Sequence, residues 1–303
     1  MTQTSISVIL THFNKGPLLQ RTIESLQPDL TELLEIIVID DCSTDPDWPD
    51  FAKFLEEKYF PKIKIIYNSE NKGPATRLNQ GGSIAKGEYI FFMDADDIAA
   101  PNLILNTINL IKNNNYPDLI YGRVNKIKNE KEITHLGYEN ISFNYIKNPI
   151  EFIIKENILH MCVFCKNNIF QKSGGCFDNL FIQDEALALN LGIVSKTMLY
   201  IQTPSVYILD SEVDKVSHLS SNKYRQHKDT FLSIYLFKKK QHILDENLNN
   251  ILIKKATSMY FKSKKEKKLL SFLDYIDYFD SKIRPSSSWK RSHKKYYHYF
   301  ILK

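Results

Sequence analysis

The chain has 303 residues, 43% of them hydrophobic and 25% charged, with 40 Lys and Arg against 35 Asp and Glu for a net charge of +5. That length accommodates one large α/β domain with an appendage, or two modest domains, and the composition excludes a disordered or fibrous chain. The mild positive charge favours anionic ligands or surfaces without calling for nucleic acid.

Met1 to Asn14 has no basic leader and only the short apolar run Ile6 to Leu10, so it does not read as a signal peptide. No stretch approaches the roughly 18 apolar residues of a membrane span. Four cysteines fit a reducing compartment. The expected location is cytoplasmic, with a peripheral position at the inner face of the cytoplasmic membrane as the alternative.

In chain order, strands are predicted at Ile6 to Leu10, Glu35 to Asp40, Ile63 to Tyr67 and Tyr89 to Asp94. Helical spacing fills the gaps at Leu18 to Leu26, Phe51 to Lys58 and Ala75 to Ala85. This alternation predicts a parallel, helix-flanked sheet, in which ligands bind beyond the carboxyl ends of the strands. A helix from Leu103 to Lys112 and a strand from Leu119 to Val124 follow, then a less regular region to about Ser173. Gly174 and Gly175 form a turn, and a helix begins near Gln183. From about Asn222 onward Lys, Tyr, Phe, Leu and Ile recur at helical spacing, so residues 222–303 are expected to be a helical appendage to a domain of residues 1–221.

The strand ends carry the chemistry. Asp94-Ala95-Asp96-Asp97 places three carboxylates in four residues at a sheet mouth, where they repel one another unless a cation is present. Mg²⁺ or Mn²⁺ is commonly held by one or two carboxylates together with substrate phosphates. The plainer reading is a solvated turn, with Asp97 as the N-cap of the helix after Pro101. Thr11 and Phe13 offer a hydroxyl and a face on which a base can stack. A carboxylate of the Asp40-Asp41 pair can accept the imide N–H of uracil, or equally a donor of guanine. The loop from Asn68 to Asn79 adds Lys72, Arg77 and a helix start suited to phosphate.

These segments, SVILTHFNKGPLLQRTIESL, EIIVIDDCSTD, NKGPATRLNQGGSIAKGEYIFFMDADD and GGCFDNLFIQDEALALNLG, resemble in order and spacing the inverting GT-A glycosyltransferases of family 2. The resemblance implies a Rossmann-like mixed sheet flanked by helices, with residues 1–100 binding the nucleotide sugar and 101–221 the acceptor. Thr11 and Phe13 would contact base and ribose, Asp41 the base, and Asp40 would support that loop. Asp94, Ala95 and Asp96 would form the DxD element, with Asp94 near the ribose and Asp96 on Mn²⁺ or Mg²⁺. Lys72 and Arg77 would lie near the donor, Arg77 pairing with the carboxylate cluster; for Lys72 a solvated loop cation is an equal reading. His218 stands where some GT-A enzymes supply a further metal ligand.

Asp184 would be the general base, in a helix first turn whose dipole favours its ionised form. The alternative is that it only caps the helix. Two departures from the family pattern are Phe13, where Tyr is common, and Gln183, where Glu usually precedes the aspartate.

The implied reaction transfers a hexosyl or N-acetylhexosaminyl unit from a UDP-sugar to a glycan or lipid-linked glycan, as in bacterial capsule or lipopolysaccharide synthesis. The rival reading is a non-catalytic nucleotide-sugar-binding subunit. Cys162 and Cys165 have the spacing of half a zinc site but read as buried thiols. His160 lines the acceptor pocket or caps a strand, and His227 is a surface residue. In the tail, Lys264, Lys265, Lys267, Lys268, Lys290, Arg291, Lys294 and Lys295 accompany Trp289, Tyr296, Tyr297, Tyr299 and Phe300. That mixture predicts either contact with an anionic membrane or a solvated face whose aromatics pack inward.

Overall fold

A computed structural model describes residues 4–134, 137–178, 180–210, 222–240 and 244–301. Runs of Ile, Val, Leu, Phe and Tyr, largely buried except at the outer strand β3, form parallel strands β1 (Ile6–His12), β2 (Leu33–Asp40), β3 (Ile63–Ile66) and β4 (Tyr89–Asp94), in the spatial order β3-β2-β1-β4. Helices α1 (Gly16–Ser25), α2 (Trp48–Lys58) and α3 (Pro74–Ile84) connect them, each opened by a proline whose fixed φ suits a first turn. The registers set Thr11 beside both Ile39 and Asp94, and His12 beside Asp40, so motifs distant in sequence meet at one sheet edge.

Beyond β4 the parallel pattern ends. The chain continues through β5 (Ile98–Ala99), α4 (Leu103–Asn113), β6 (Leu119–Ile127), β7 (Phe143–Ile146), α5 (Pro149–Glu156), β8 (Cys162–Lys166), α6 (Asn167–Ser173), α7 (Asp184–Val194) and β9 (Met198–Leu209). Strand β8 lies antiparallel between β4 and β6, β9 runs parallel to β6, and β5 and β7 pair antiparallel with β9. Among the described residues nine strands thus form one mixed sheet, the expected class, although the early alternation by itself predicts parallel pairing throughout. The stretch to Ser173 also holds more regular structure than its pattern suggests. Its elements are too short for periodicity to separate strand from helix.

One apolar layer packs α1, α2 and α4 on one face of the sheet, and a second packs α3, α5, α6 and α7 on the other. Gly81 and Gly82 let α3 approach closely, since a Cβ at Gly81 would stand 2.4 Å from Ile9 and one at Gly82 2.3 Å from Phe170. The N-cap of α4 is Asn102, not Asp97. Its free amides are met by Asp29, which accepts from Ile104 and Leu105 N–H at 3.0 and 3.2 Å.

The C-terminal region contains α8 (Lys223–Lys239), α9 (Glu246–Glu266), α10 (Phe272–Ile283) and α11 (Pro285–Ile301). Its core is continuous with α5 and α7: Ile150, Ile154 and Leu189 pack with Phe231, Phe237, Leu252, Tyr260, Tyr296 and Phe300. Lys255 of α9 reinforces this junction with a 2.6 Å ion pair to buried Glu185 of α7. The tail aromatics therefore turn inward. Tyr296 and Phe300 are buried, while Trp289, Tyr297 and Tyr299 pack on the same cluster, so they are not the interfacial belt that composition alone allows.

Candidate active site

Thr11 is the penultimate residue of β1, and Phe13 follows the strand with 40% of its surface exposed. Next to it, Asn14 takes a left-handed conformation and ties two strand ends together: its Oδ1 accepts from Thr44 and Asp45 N–H at 2.8 and 3.2 Å, and its own N–H donates to Ser43 Oγ at 2.9 Å. Asp40 shapes the same loop by accepting from the Ser43 hydroxyl at 2.5 Å, while its carbonyl receives Asn68 Nδ2 at 2.8 Å.

Asp41 is buried and well occupied. Oδ1 accepts from Lys72 N–H at 2.8 Å and Arg77 Nε at 2.6 Å, and Oδ2 from Gly73 N–H at 2.8 Å. A carboxylate has about four acceptor positions, so one remains on Oδ2 for a base N–H. Arg77 does not pair with the Asp94 cluster. It stands in the first turn of α3 beside the end of β2, and its other nitrogens reach Gln80 Oε1 and the Glu70 carbonyl. Lys72 turns its amine outward to Glu70 at 3.0 Å.

At the end of β4, Asp94 lies half-buried beside buried Ala95, Asp96 and Asp97. Burial, then the charge of Asp96, pushes the Asp94 carboxyl up to about 7 against the opposing pull of Lys15 and Gln183. Burial, Asp94 and Asp96 also hold Asp97 well above the usual carboxylate range. Three residues in or next to α1 serve this cluster and are absent from the site expected from the sequence. Lys15 Nζ lies 2.6 Å from Asp96 Oδ2, Arg21 donates to the Asp96 carbonyl at 2.9 Å, and Thr22 donates to the Asp97 carbonyl at 2.7 Å. Lys15 carried a usable signal, because a cation at a helix N-terminus opposes the dipole and suggests another partner.

The start of α7 closes the other side. Gln183 is its N-cap residue and donates Nε2 to Asp94 Oδ1 at 3.3 Å; Asp184 is the first helical residue, so it is not the cap. Burial, the charge of Asp94 and that of Glu185 hold Asp184 well above its ordinary value, which overrides the expectation that the dipole keeps it ionised. Tyr121 is close enough that, after burial, Asp184 is the next cause raising its phenol. His160 meets Tyr121 edge-on at 5.8 Å, and burial lowers its pKa. Cys162 and Cys165 are buried in β8 with thiols pushed far up by burial, as inert core residues are. His227 is in α8, and His218 lies outside the described residues.

Among the described residues no group of three His, Cys, Asp or Glu side chains could hold a metal ion. Carboxylates crowded enough that Asp96 raises the pKa values of Asp94 and Asp97 nevertheless fit a hard cation that takes its remaining ligands from a substrate diphosphate.

The family model described as Glycosyl transferase family 2 matches residues 7–173, over half of the chain. A Haemophilus influenzae uncharacterized glycosyltransferase is 35% identical over 147 residues, which are 48% of this chain and 44% of that protein, so the match spans less than half of that relative. The Escherichia coli UDP-Glc:alpha-D-GlcNAc-diphosphoundecaprenol beta-1,3-glucosyltransferase WfaP is 29% identical over 188 residues, 54% of this chain and 73% of WfaP. Among solved structures, S. aureus TarS 1-349 in complex with UDP-GlcNAc superposes with a TM-score of 0.67 at 17% identity, covering 91% of this chain and 79% of that one. That likeness bears on fold, and it is the GT-A fold expected from the sequence. With the matched segment running from β1 through the carboxylate turn to α6, the chain belongs to glycosyl transferase family 2.

Proposed function

We propose that the chain is a metal-dependent, inverting glycosyltransferase that moves a hexosyl or N-acetylhexosaminyl unit from a UDP-sugar to a hydroxyl of a glycan or lipid-linked glycan. The observation that carries this reading is the meeting of Asp94 and Asp184, from β4 and α7, with Gln183, the residue before Asp184, donating to Asp94. Thr11, Phe13 and Asp41 offer the base a hydroxyl, a ring face and an acceptor on the adjoining strand ends. A divalent cation held through Asp94 and Asp96 would offset the charge that develops on the departing diphosphate.

Asp184 takes the proton of the acceptor hydroxyl as the new bond to the anomeric carbon forms and the bond to the diphosphate oxygen breaks on the opposite face. A single displacement inverts the configuration. Positive charge brought next to Asp94 removes one cause of the raised Asp184 pKa, after burial the largest, and so favours the ionised form of the base. The names of WfaP and TarS, with UDP-Glc and UDP-GlcNAc, support UDP as the nucleotide and a lipid diphosphate as one acceptor class. Capsule or lipopolysaccharide assembly at the inner face of the cytoplasmic membrane is the setting this chemistry suits. A melting-temperature screen of nucleotide diphosphates with Mn²⁺ tests donor binding: UDP is expected to stabilise, and the absence of a shift with every nucleotide would overturn the reading.

A further inference from the structure

Helix α10 is amphipathic in the reverse sense to an ordinary surface helix. Its acids face the protein: Asp274 is buried with Lys264 Nζ at 2.5 Å, Asp277 meets Lys295 Nζ at 2.8 Å, and Asp280 pairs with Arg291. Its apolar side chains face outward, with Phe272 79%, Ile276 46%, Phe279 61% and Ile283 77% exposed. The spacing i, i+4, i+7, i+11 gathers these four on one stripe, opposite Asp274 and Ser281. Leu273 and Tyr275 widen it, and exposed Leu269 extends it before the helix. Scattered apolar residues on a surface need no explanation, but a continuous stripe whose polar face is neutralised underneath does.

Its surroundings say what covers it. Between Phe261 and Ile301 eleven lysines and arginines stand against four acids, so this region alone carries more positive charge than the +5 of the whole chain. Exposed Lys282 and Arg284 flank the stripe on its two sides, and exposed Lys267 and Lys268 precede it. A second copy docking face to face would bring these cations against their equivalents. A negatively charged lipid surface meets both the apolar stripe and the cationic rim. No helix among the described residues is long and apolar enough to cross a membrane, so the contact is one of lying on it.

We propose that α10 docks this chain on an anionic membrane, with Phe272, Ile276, Phe279 and Ile283 entering the headgroup boundary and Lys282 and Arg284 contacting lipid phosphates. The surface differs from the inward-packed aromatics of α11. It deepens the proposed function by placing the catalytic domain where a lipid-linked acceptor lies, and on that reading it rests only for its purpose.

The test is flotation of the full chain with vesicles of phosphatidylglycerol and phosphatidylcholine in equal parts, with pure phosphatidylcholine as the comparison and no sugar nucleotide present. Docking that fails here therefore leaves transfer chemistry to be judged separately. The parent chain is expected to float with the anionic vesicles only. F279E/I283E, two changes at exposed positions, should weaken binding on the order of a hundredfold, and K282Q/R284Q should weaken it on anionic vesicles by roughly thirtyfold. In F279W the indole emission should shift to the blue on vesicle addition. Equal binding by F279E/I283E and the parent would overturn the proposal. So would a parent that ignores vesicles and is a dimer made monomeric by F279E/I283E, which would assign the stripe to a second copy.

Discussion

Arg77 Nε donates to Asp41 Oδ1 at 2.6 Å within a largely buried pair, so the start of α3 is locked to the end of β2 by an ion pair that is mostly shielded from water. Arg77→Ala should cost about 3 to 5 kcal/mol, because it strands the Asp41 carboxylate in the interior. Arg77→Lys should lose less, yet a single ammonium cannot serve Asp41, Gln80 and the Glu70 carbonyl together. Denaturant unfolding of both variants measures this. Parental stability in Arg77→Ala would show that the pair contributes little to the fold.

Asp184→Asn separates catalysis from folding. As the base, Asp184 should account for on the order of 10² to 10⁴ in rate. Since Gln183 is the N-cap residue, no helix cap is lost. The folded-state pKa of Asp184 is raised, so its contribution to stability is greatest below the unfolded carboxyl value and declines as pH rises. The Asn variant should consequently match or exceed the parent's melting temperature at about pH 8. Near-parental turnover would mean that the base lies elsewhere, and Glu185, committed to Lys255, would be a poor substitute.

Asp96→Asn should remove most transfer activity and weaken Mn²⁺-assisted UDP binding, as the carboxylate that now faces Lys15 is the one proposed to meet the cation. Full activity in excess EDTA would contradict the proposed metal dependence.

His12 supplies a pH signature of the fold. It is buried and stacked on Trp48 at 4.0 Å with no hydrogen bond to either ring nitrogen from the described residues, and burial followed by the Lys15 charge lowers its pKa to about 3. The unfolded chain takes up this proton first. Stability from neutral His12 is therefore complete above pH ~6.5 and falls as pH drops toward 3. At about pH 5 the loss should be roughly 2 kcal/mol. His12→Phe keeps a ring on Trp48 and should flatten this limb. Identical pH profiles of melting temperature for parent and variant would exclude the effect.

Much of the nucleotide half was legible in the chain. Apolar runs such as YIFFM, prolines opening α1, α2 and α3, and the polar residues following each strand place Thr11, Asp41 and Asp94 at one sheet edge once the sheet is taken as parallel. The later half was less so, because β7, β8 and α5 are short and β8 inserts antiparallel between β4 and β6, a pairing made by distant segments that leaves no local pattern.

Partner choice inside the site was the other matter decided only by the tertiary structure. The sequence by itself determined which charged groups are present and roughly which strand end each follows. It did not determine that Arg77 faces Asp41, that Lys15 faces Asp96, or that α10 turns its acids inward and its phenylalanines outward. Periodicity defines the two faces of a helix, but which face is covered depends on what packs against it, and for α10 the lysines and arginine of α9 and α11 occupy the side that its acids share.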